Sequence, residues 1–247
     1  MSNPDNKVAF ISGANRGIGF ETAKKLGELG ITVILGVRDL AKGEVAVKAL
    51  KAQGIKAETV HYNATDAQSA NTVYDYIANH YGKLDILVNN AGVLLEGLAG
   101  SNDSSTVSQE VLHATFQTNL FAVIGLTQKL LPLIKKSAAG RIVNLSSILA
   151  SQTIHSMPNS PIDFAKAFAY NASKTALNVY TIHLAHELKD TEIKVNSAHP
   201  GWVKTELGGE GAPMEVADSY KTSLYLATLD KNGPSGGFFH ETEVLPW

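Results

Sequence analysis

The sequence contains no cysteine, and this absence excludes several kinds of chemistry at once. Disulfides, thiolate catalysis and metal sites built on cysteine are all ruled out. A chain without cysteine fits a reducing compartment. An excess of charge of one sign is also missing, since 21 Lys and Arg stand against 23 Asp and Glu, for a net charge of −2. This balance gives no electrostatic indication of a nucleic-acid partner or an anionic membrane.

Long hydrophobic runs are missing too. The longest lies near Leu120–Leu126 and is far too short to cross a bilayer. The first residues, Met1–Asn6, are polar and lack the apolar stretch of a signal peptide. We therefore expect a cytoplasmic protein with no membrane and no nucleic acid among its partners.

Short apolar runs alternate regularly with longer segments that have helical spacing. The predicted strands are Val8–Ser12, Thr32–Val37, Ala57–His61, Leu84–Val88, Arg141–Leu145, Ile193–Ser197 and Gly237–His240. The predicted helices are Gly17–Leu29, Ala41–Gln53, Ala67–Tyr81, Val107–Lys136, Asp163–Lys189 and Pro213–Leu229. Repeated β-α units form a parallel sheet with helices on both faces. Because no linker or repeat interrupts the series, we predict one doubly wound α/β domain over residues 1–247.

Loops beyond the carboxyl ends of the strands are where ligands bind in this architecture. Three stretches have the composition of longer loops, namely Leu95–Thr106, Ser151–Pro161 and the region of Gly208, Gly209 and Gly211. We expect these loops to shape the binding site.

A glycine-rich turn, Ser12 to Gly19, follows the first strand and opens a helix. Glycines let the backbone turn sharply and approach a pyrophosphate, whose charge is favoured by the helix N-terminus. We interpret the turn as a phosphate-binding site because it follows the first strand of a β-α series; the alternative is a tight turn without a ligand. The residues assigned to it are Gly13, Asn15, Arg16, Gly17, Ile18 and Gly19.

The end of the second strand indicates which dinucleotide is bound. NAD-specific enzymes usually carry an acid here for the adenosine 2′-hydroxyl, whereas this chain has Val37 followed by Arg38. An arginine can bind a 2′-phosphate bidentately, and Arg16 could reach the same phosphate. We therefore predict NADP(H), against the alternative that both arginines are solvated surface charges.

Tyr170 and Lys174 are four residues apart and so share one face of a helix. A tyrosine at its reference pKa of about 10 is a poor acid–base catalyst at neutral pH. A lysine ammonium about 4 Å away contributes roughly 4 kcal/mol at an effective dielectric of about 20. That interaction would lower the tyrosine pKa by up to about three units. Alone, however, this pattern often arises by chance on helices.

Other motifs accompany this pair, and together they resemble the short-chain dehydrogenase/reductase family over nearly the whole chain. The carbonyl-reductase type looks most similar within it. The matching segments are Ser12–Gly19, Asn89–Gly92, Asn119, Asn144–Ser147, Tyr170–Lys174 and Pro200–Thr205. The resemblance implies a Rossmann-type fold and NADPH-dependent reduction of a small ketone or aldehyde.

The resemblance also implies a role for each matching residue. Tyr170 is the proton donor, Lys174 lowers its pKa and holds the nicotinamide ribose, and Ser147 hydrogen-bonds the substrate oxygen. Asn119 positions a water that links Lys174 to solvent. Further cofactor contacts are assigned to Asn63, Asn90, Val203 and Thr205, the last two at the carboxamide.

Two departures from the family pattern stand out. Asn63 replaces the usual aspartate that accepts from the adenine amino group, and its side-chain carbonyl can still accept. The interval between Ser147 and Tyr170 is longer than in most members, which places an insertion around residues 151–169. Because the insertion lies beside the helix that many members use for assembly, we predict a monomer, with a dimer as the alternative.

The histidines outside the matching motifs are interpreted as structural or solvated. His183 and His186 lie three residues apart on one predicted helix, but a metal would need further ligands, so no metal site is predicted. His155, in the insertion, is read as a loop residue without a catalytic role, with substrate contact as the alternative. The candidates for an apolar substrate wall are Leu94, Leu95, Ile148, Ile154, Trp202 and Leu207.

Two other functions remain open at this point. One is reduction of 3-oxoacyl groups on an acidic carrier, against which the balanced charge argues mildly. The other is a non-catalytic NADP(H) sensor, a class that typically loses the tyrosine or the lysine, whereas both are present here.

Overall fold

A computed structural model describes residues 7–96 and 104–247. The strands are β1 (Val8–Ser12), β2 (Thr32–Val37), β3 (Ala57–His61), β4 (Ile86–Asn89), β5 (Arg141–Leu145), β6 (Lys194–His199), β7 (Phe238–His240) and β8 (Glu243–Val244). The helices are α1 (Gly17–Glu28), α2 (Leu40–Lys51), α3 (Ser69–His80), α4 (Gln109–Phe116), α5 (Ala122–Ile134), α6 (Gln152–His155), α7 (Phe168–Glu187) and α8 (Lys221–Ala227). A π-helical turn, Gln117–Phe121, joins α4 to α5.

The strands form one sheet in the order β3-β2-β1-β4-β5-β6-β7-β8. Pairing is parallel throughout, except that the short β8 runs antiparallel to β7. The chain builds outward from β1 to β3 and then crosses back to place β4 on the other side of β1. The connections that leave the carboxyl ends of β1 and β4 therefore run in opposite directions, and doubly wound sheets bind ligands in the crevice between such connections.

Each face of the sheet has its own hydrophobic core. One core packs α1, α2 and α8 against residues such as Ile11 and Leu35, and the other packs α3, α5 and α7 against Phe10 and Ile34. All residues of β1 are buried, as a parallel sheet covered on both sides requires. The predicted single doubly wound α/β domain is thereby confirmed.

The predicted strands are confirmed, and β1, β2, β3 and β5 have the predicted bounds. The predicted helix Val107–Lys136 is interrupted by the π-helical turn between α4 and α5. Two other predicted helices begin several residues later than expected. The segment beginning at Pro213 cannot start as a helix, because Met214 pairs with Val203 in an isolated β-bridge. The helix that carries Tyr170 begins only at Phe168, because Ala167 has extended backbone angles. The two-residue strand β8 was not predicted.

The insertion at residues 151–169 contains the short helix α6, and the C-terminus anchors it. Thr153 N donates to the Trp247 carbonyl at 2.8 Å, and the Ser151 hydroxyl donates to the same oxygen at 3.2 Å. The Trp247 ring stacks on Phe238 with centroids 5.7 Å apart. Most of the predicted loop Leu95–Thr106, and the N-terminal residues Met1–Asn6, lie outside the described residues. In the described part of the chain, no helix is long and apolar enough to cross a membrane.

Candidate active site

A cavity of about 840 Å³ opens at the carboxyl ends of the strands. Its volume falls within the range of ligand and cofactor sites. The predicted site residues that line it are Gly13, Asn15, Arg16, Gly17, Ile18, Gly19, Arg38, Asn63, Asn90, Ser147, Tyr170, Lys174, Val203 and Thr205. Asn119 does not line the cavity. The topology thus brings together residues that are far apart in the sequence.

The glycine turn leaves the N-terminus of α1 free for a phosphate. Arg16 occupies the N-cap position without a capping side-chain hydrogen bond, and the first turn contains no acidic residue. Gly17 has φ +61°, a conformation that favours glycine. A helix N-terminus with no capping side chain and no acid in its first turn fits a bound pyrophosphate.

The Asn90 side chain hydrogen-bonds the backbone at the start of the glycine turn. Its side-chain nitrogen donates to the carbonyls of Ser12 and Gly13 at 2.8 and 3.1 Å. The Ser12 hydroxyl in turn accepts from the backbone nitrogens of Asn90 and Ala91. A Cβ on Gly19 would lie 2.5 Å from the Asn90 side-chain nitrogen, so this close packing requires glycine.

The two arginines differ in their local partners. Arg16 forms an ion pair with Glu206 at the cavity mouth, and both side chains are largely exposed. Arg38 is exposed at the end of β2 and forms no ion pair with any described residue. Asp39, which follows it, accepts from Lys42 N and so caps α2. Arg38 is therefore the arginine that is free to bind a phosphate.

Asn63 lines the cavity, but its side-chain oxygen already accepts two hydrogen bonds within the protein. The side-chain oxygen accepts from Thr65 N at 3.2 Å and from the Thr65 hydroxyl at 3.0 Å. These two bonds match the acceptor capacity of an amide oxygen. A local turn therefore competes with the adenine amino group for this oxygen, and the cofactor contact assigned to Asn63 stays a prediction.

Tyr170 and Lys174 lie on one face of α7, as predicted, and both are buried. Lys174 Nζ donates to the Leu145 carbonyl at 2.7 Å and lies 5.8 Å from the centre of the Tyr170 ring. Burial raises the pKa of Tyr170 to about 12 and lowers the pKa of Lys174 to about 8. The predicted lowering of the tyrosine pKa is therefore not found, because desolvation is the largest effect on the phenol and the ammonium donates to a carbonyl instead.

Ser147 begins the turn that follows β5 and lies beside Tyr170. A hydrogen bond between the two side chains acts to lower the pKa of Tyr170, against the larger effect of burial. The Ser147 hydroxyl also accepts from Leu149 N at 3.2 Å, which fixes its orientation. The serine and the tyrosine can thus both reach one substrate oxygen.

Asn119 lies in the π-helical turn and is fully buried. Its side chain exchanges two hydrogen bonds with the backbone of Val93, at 2.8 and 2.9 Å, and donates to the Ser173 hydroxyl at 3.0 Å. A Cβ on Gly92 would lie 3.3 Å from Asn119 Oδ1 and 3.4 Å from Lys174 Nζ. Asn119 thus lies close to Lys174, and the water relay assigned to it stays a prediction.

Val203 and Thr205 lie in the loop after β6. Thr205 N donates to the Val203 carbonyl at 2.7 Å, and the Thr205 hydroxyl accepts from Gly208 N at 3.1 Å. The β-bridge to Met214 fixes Val203 from its other side. Their role at the carboxamide stays a prediction.

The apolar wall of the cavity differs in part from the predicted one. Ile148, Trp202 and Leu207 line the cavity. Leu94 and Ile154 instead pack against the cluster of Leu149, Ile162, Ala165, Ala167 and Tyr170, and Leu95 is exposed. Phe164 was missed; it lines the cavity, and its ring lies 5.6 Å from that of Trp202. The insertion therefore contributes an aromatic side chain to the substrate end.

None of the three histidines His155, His183 and His186 lines the cavity. His183 and His186 are exposed, and no cluster of potential metal ligands occurs among the described residues. His155 does not line the cavity; its ring is held by Leu149 O, Asn171 and Lys166.

His199 was not predicted as a site residue, although it lies at the carboxyl end of β6, where ligands bind in this architecture. It lines the cavity, and its Nδ1 accepts from Ile148 N at 3.1 Å. Burial lowers its pKa to about 3, so the ring is neutral at ordinary pH.

One cavity at the edge of the doubly wound sheet brings together a free helix N-terminus and the side chains of Ser147, Tyr170 and Lys174. This arrangement defines a dinucleotide-dependent oxidoreductase of the Rossmann type. The family model described as short chain dehydrogenase matches residues 7–215. The chain accordingly belongs to the short-chain dehydrogenase/reductase family, as its motifs predict.

Carbonyl reductases are among its relatives. Carbonyl reductase [NADPH] 1 from Bos taurus is 32% identical, and the match covers 98% of this chain and 99% of that protein. Carbonyl reductase [NADPH] 3 from Rattus norvegicus is 30% identical, with 98% and 99% covered.

Solved structures of other proteins have a similar fold. Salutaridine reductase from Papaver somniferum has a TM-score of 0.81 at 28% identity, covering 94% of this chain and 99% of that one. A short chain dehydrogenase from Escherichia coli CFT073, complexed with NADPH, has a TM-score of 0.83 at 27% identity, with 98% and 100% covered.

Proposed function

We propose that this protein reduces a ketone or aldehyde to an alcohol, with Tyr170 as the proton donor. NADP(H) is the cofactor, and when bound it supplies the hydride. The observation that carries the proposal is the placement of Ser147, Tyr170 and Lys174 around the end of a cavity that begins at a phosphate-binding helix N-terminus. The relatives named carbonyl reductase [NADPH] support the same reaction.

The cofactor would lie along the lining of the cavity. The turn from Gly13 to Gly19 would hold the pyrophosphate, and Arg38 and Arg16 would hold the 2′-phosphate. Asn90 acts by fixing the turn. Lys174 would hold the nicotinamide ribose, and Val203 with Thr205 would hold the carboxamide. These contacts would fix the ring face that is presented to the substrate.

The raised pKa of Tyr170 suits the reducing direction. At neutral pH the phenol keeps its proton, which it can donate to the alkoxide that develops on the substrate, because an alkoxide is a stronger base than a phenolate. Ser147 donates a hydrogen bond to the same oxygen and stabilises the developing charge. Lys174, when protonated, stabilises the phenolate that remains after transfer.

The substrate end favours an apolar small molecule. Ile148, Phe164, Trp202 and Leu207 line it, and no charged side chain other than Glu206 and Lys174 lies among the lining residues from Leu145 to Val216. Hydrophobic and aromatic walls with a few polar groups at the reacting atom are typical of sites for such ligands.

We also propose that residues 1–247 act as one cofactor-binding and catalytic domain, as a monomer in the cytoplasm. The lack of cysteine supports a reducing compartment. The insertion lies beside α7, where Asn171 bonds both His155 and the Ala165 carbonyl. This packing supports the view that the insertion affects assembly through that helix.

The test is NADPH oxidation on a panel of ketones and aldehydes, with Tyr170→Phe as the diagnostic variant. General acid catalysis contributes about 10²- to 10⁴-fold, so Tyr170→Phe should lose about that much of kcat. Tyr180→Phe is the matched control, since Tyr180 lies on the same helix but outside the cavity. Tight NADPH binding without turnover of any carbonyl would instead favour a sensor, and turnover confined to carrier-bound 3-oxoacyl groups would favour a carrier reductase.

A further inference from the structure

The helix that carries Tyr170 begins without a cap of its own. Ala167 occupies the N-cap position of α7 and offers no side-chain acceptor, and the first turn contains no acidic residue. The first backbone N–H groups of a helix have no partner within the helix, so they need an acceptor from elsewhere. Tyr170 is the third residue of this first turn, so its own N–H is one of them.

A glutamate from a distant segment supplies the missing acceptor. Glu96 Oε1 accepts from Ala169 N at 3.1 Å, and Glu96 Oε2 accepts from Tyr170 N at 2.9 Å. The two oxygens of one half-buried carboxylate thus satisfy two adjacent N–H groups from 73 and 74 residues away. A negative charge at this end of a helix also interacts favourably with the helix dipole.

The segment that carries Glu96 also fastens two other parts of the site. Asn90, at its start, bonds the glycine turn, and Val93 exchanges two hydrogen bonds with Asn119. Glu96, at its end, bonds α7. Residues 90–96 therefore tie the phosphate-binding turn, the π-helical turn and the first turn of the catalytic helix to one another.

We propose that Glu96 is a positioning residue that sets the phenol of Tyr170 against the substrate oxygen. The proposal rests on the proposed function, in which Tyr170 donates the proton. Lys174, one turn further along α7, is held separately by the Leu145 carbonyl. Loss of Glu96 therefore removes the acceptor of two N–H groups in the turn that carries the phenol, while the lysine and the glycine turn keep their own hydrogen bonds.

The experiment compares Glu96→Gln and Glu96→Ala with the wild type. Misplacement of a reacting group by about 1 Å costs about 10²-fold, so we expect kcat to fall about 10- to 100-fold in Glu96→Ala. The kcat of Glu96→Gln should lie between those of the wild type and Glu96→Ala, because an amide has one acceptor oxygen where the carboxylate has two. The Kd of NADPH should stay within about twofold, because the phosphate-binding turn is held by Asn90. The solvent isotope effect on kcat should rise as proton transfer becomes slower.

Ser108→Ala is the matched control for a lost helix cap, because Ser108 caps α4 by accepting from Val111 N at 3.2 Å. It should lower thermal stability and leave kcat unchanged. The proposal is overturned if Glu96→Gln and Glu96→Ala lower stability as Ser108→Ala does but keep the wild-type kcat and isotope effect. It is also overturned if kcat and NADPH affinity fall together, which would indicate general damage.

The two proposals fail in different ways. If Tyr170→Phe remains active, the proposed function is wrong. If Tyr170→Phe is inactive while both Glu96 variants turn over at the wild-type rate, only the role of Glu96 is wrong.

Discussion

Replacement of Arg38 by alanine should weaken the binding of NADPH selectively. Arg38 lines the cavity and is exposed, and it forms no ion pair with a described residue, so its removal breaks no ion pair within that part of the protein. Hydrogen bonds to charged groups contribute about 1.5–3 kcal/mol. Since about 1.4 kcal/mol corresponds to a tenfold change, the Kd of NADPH should rise about 10- to 150-fold. The Kd of NADH, which has no 2′-phosphate, should stay within about twofold.

Arg16→Ala should have a smaller effect, because Arg16 must first leave its ion pair with Glu206. Exposed ion pairs are worth about 0–1 kcal/mol, so this competition reduces the net gain from the phosphate contact by up to that amount. The assay is fluorescence titration with NADPH and with NADH. Lys48→Ala, on the exposed side of α2, is the control that removes the same charge outside the cavity. Equal weakening of NADPH and NADH by Arg38→Ala, or no weakening of either, would refute the assignment of the 2′-phosphate site.

Three further predictions follow from burial and from the insertion. The pKa of Lys174 is lowered to about 8, so kcat/KM for reduction should fall above about pH 8 as the ammonium that stabilises the phenolate is lost; a flat profile up to about pH 9.5 would contradict this. The pKa of His199 is lowered from 6.5 to about 3, so between these values the unfolded state binds more protons and stability falls as the pH falls. Stability should drop by about 2 kcal/mol from this group between pH 7 and pH 5, and urea unfolding should show a smaller drop in His199→Gln; an equal drop in both proteins would argue against a buried neutral ring. Light scattering should give the mass of a monomer, and a stable tetramer would show that the insertion does not prevent assembly.

Local spacing accounts for most of what the sequence predicts correctly. The alternation of apolar runs and helical segments predicts the strands of the sheet apart from β8, because strands buried on both faces must be apolar. The elements that differ are those in which a distant partner intervenes. Met214 pairs with Val203 and delays the predicted helix, and this pairing has no signal in either local stretch.

The site residues likewise fall into those that local spacing predicts and those that depend on distant contacts. The Tyr170–Lys174 pair and the glycine turn could be identified from the sequence, because the geometry of a helix and of a strand-to-helix turn is local. The substrate wall was only partly predicted. Phe164 reaches the cavity through turns of the insertion, whereas Leu94 and Ile154 pack into the cluster beneath it.

By itself the sequence determined the fold class, the family, and the glycine turn and the tyrosine–lysine pair that line the cavity. The tertiary structure decided the state of those residues, because pKa and hydrogen bonding depend on every group that surrounds a side chain. Burial raises the pKa of Tyr170 although Lys174 is one turn away, because desolvation is the largest effect on the phenol and the ammonium donates to the Leu145 carbonyl. The support of the same tyrosine by Glu96 joins residues 74 apart, and only the folded chain brings them together.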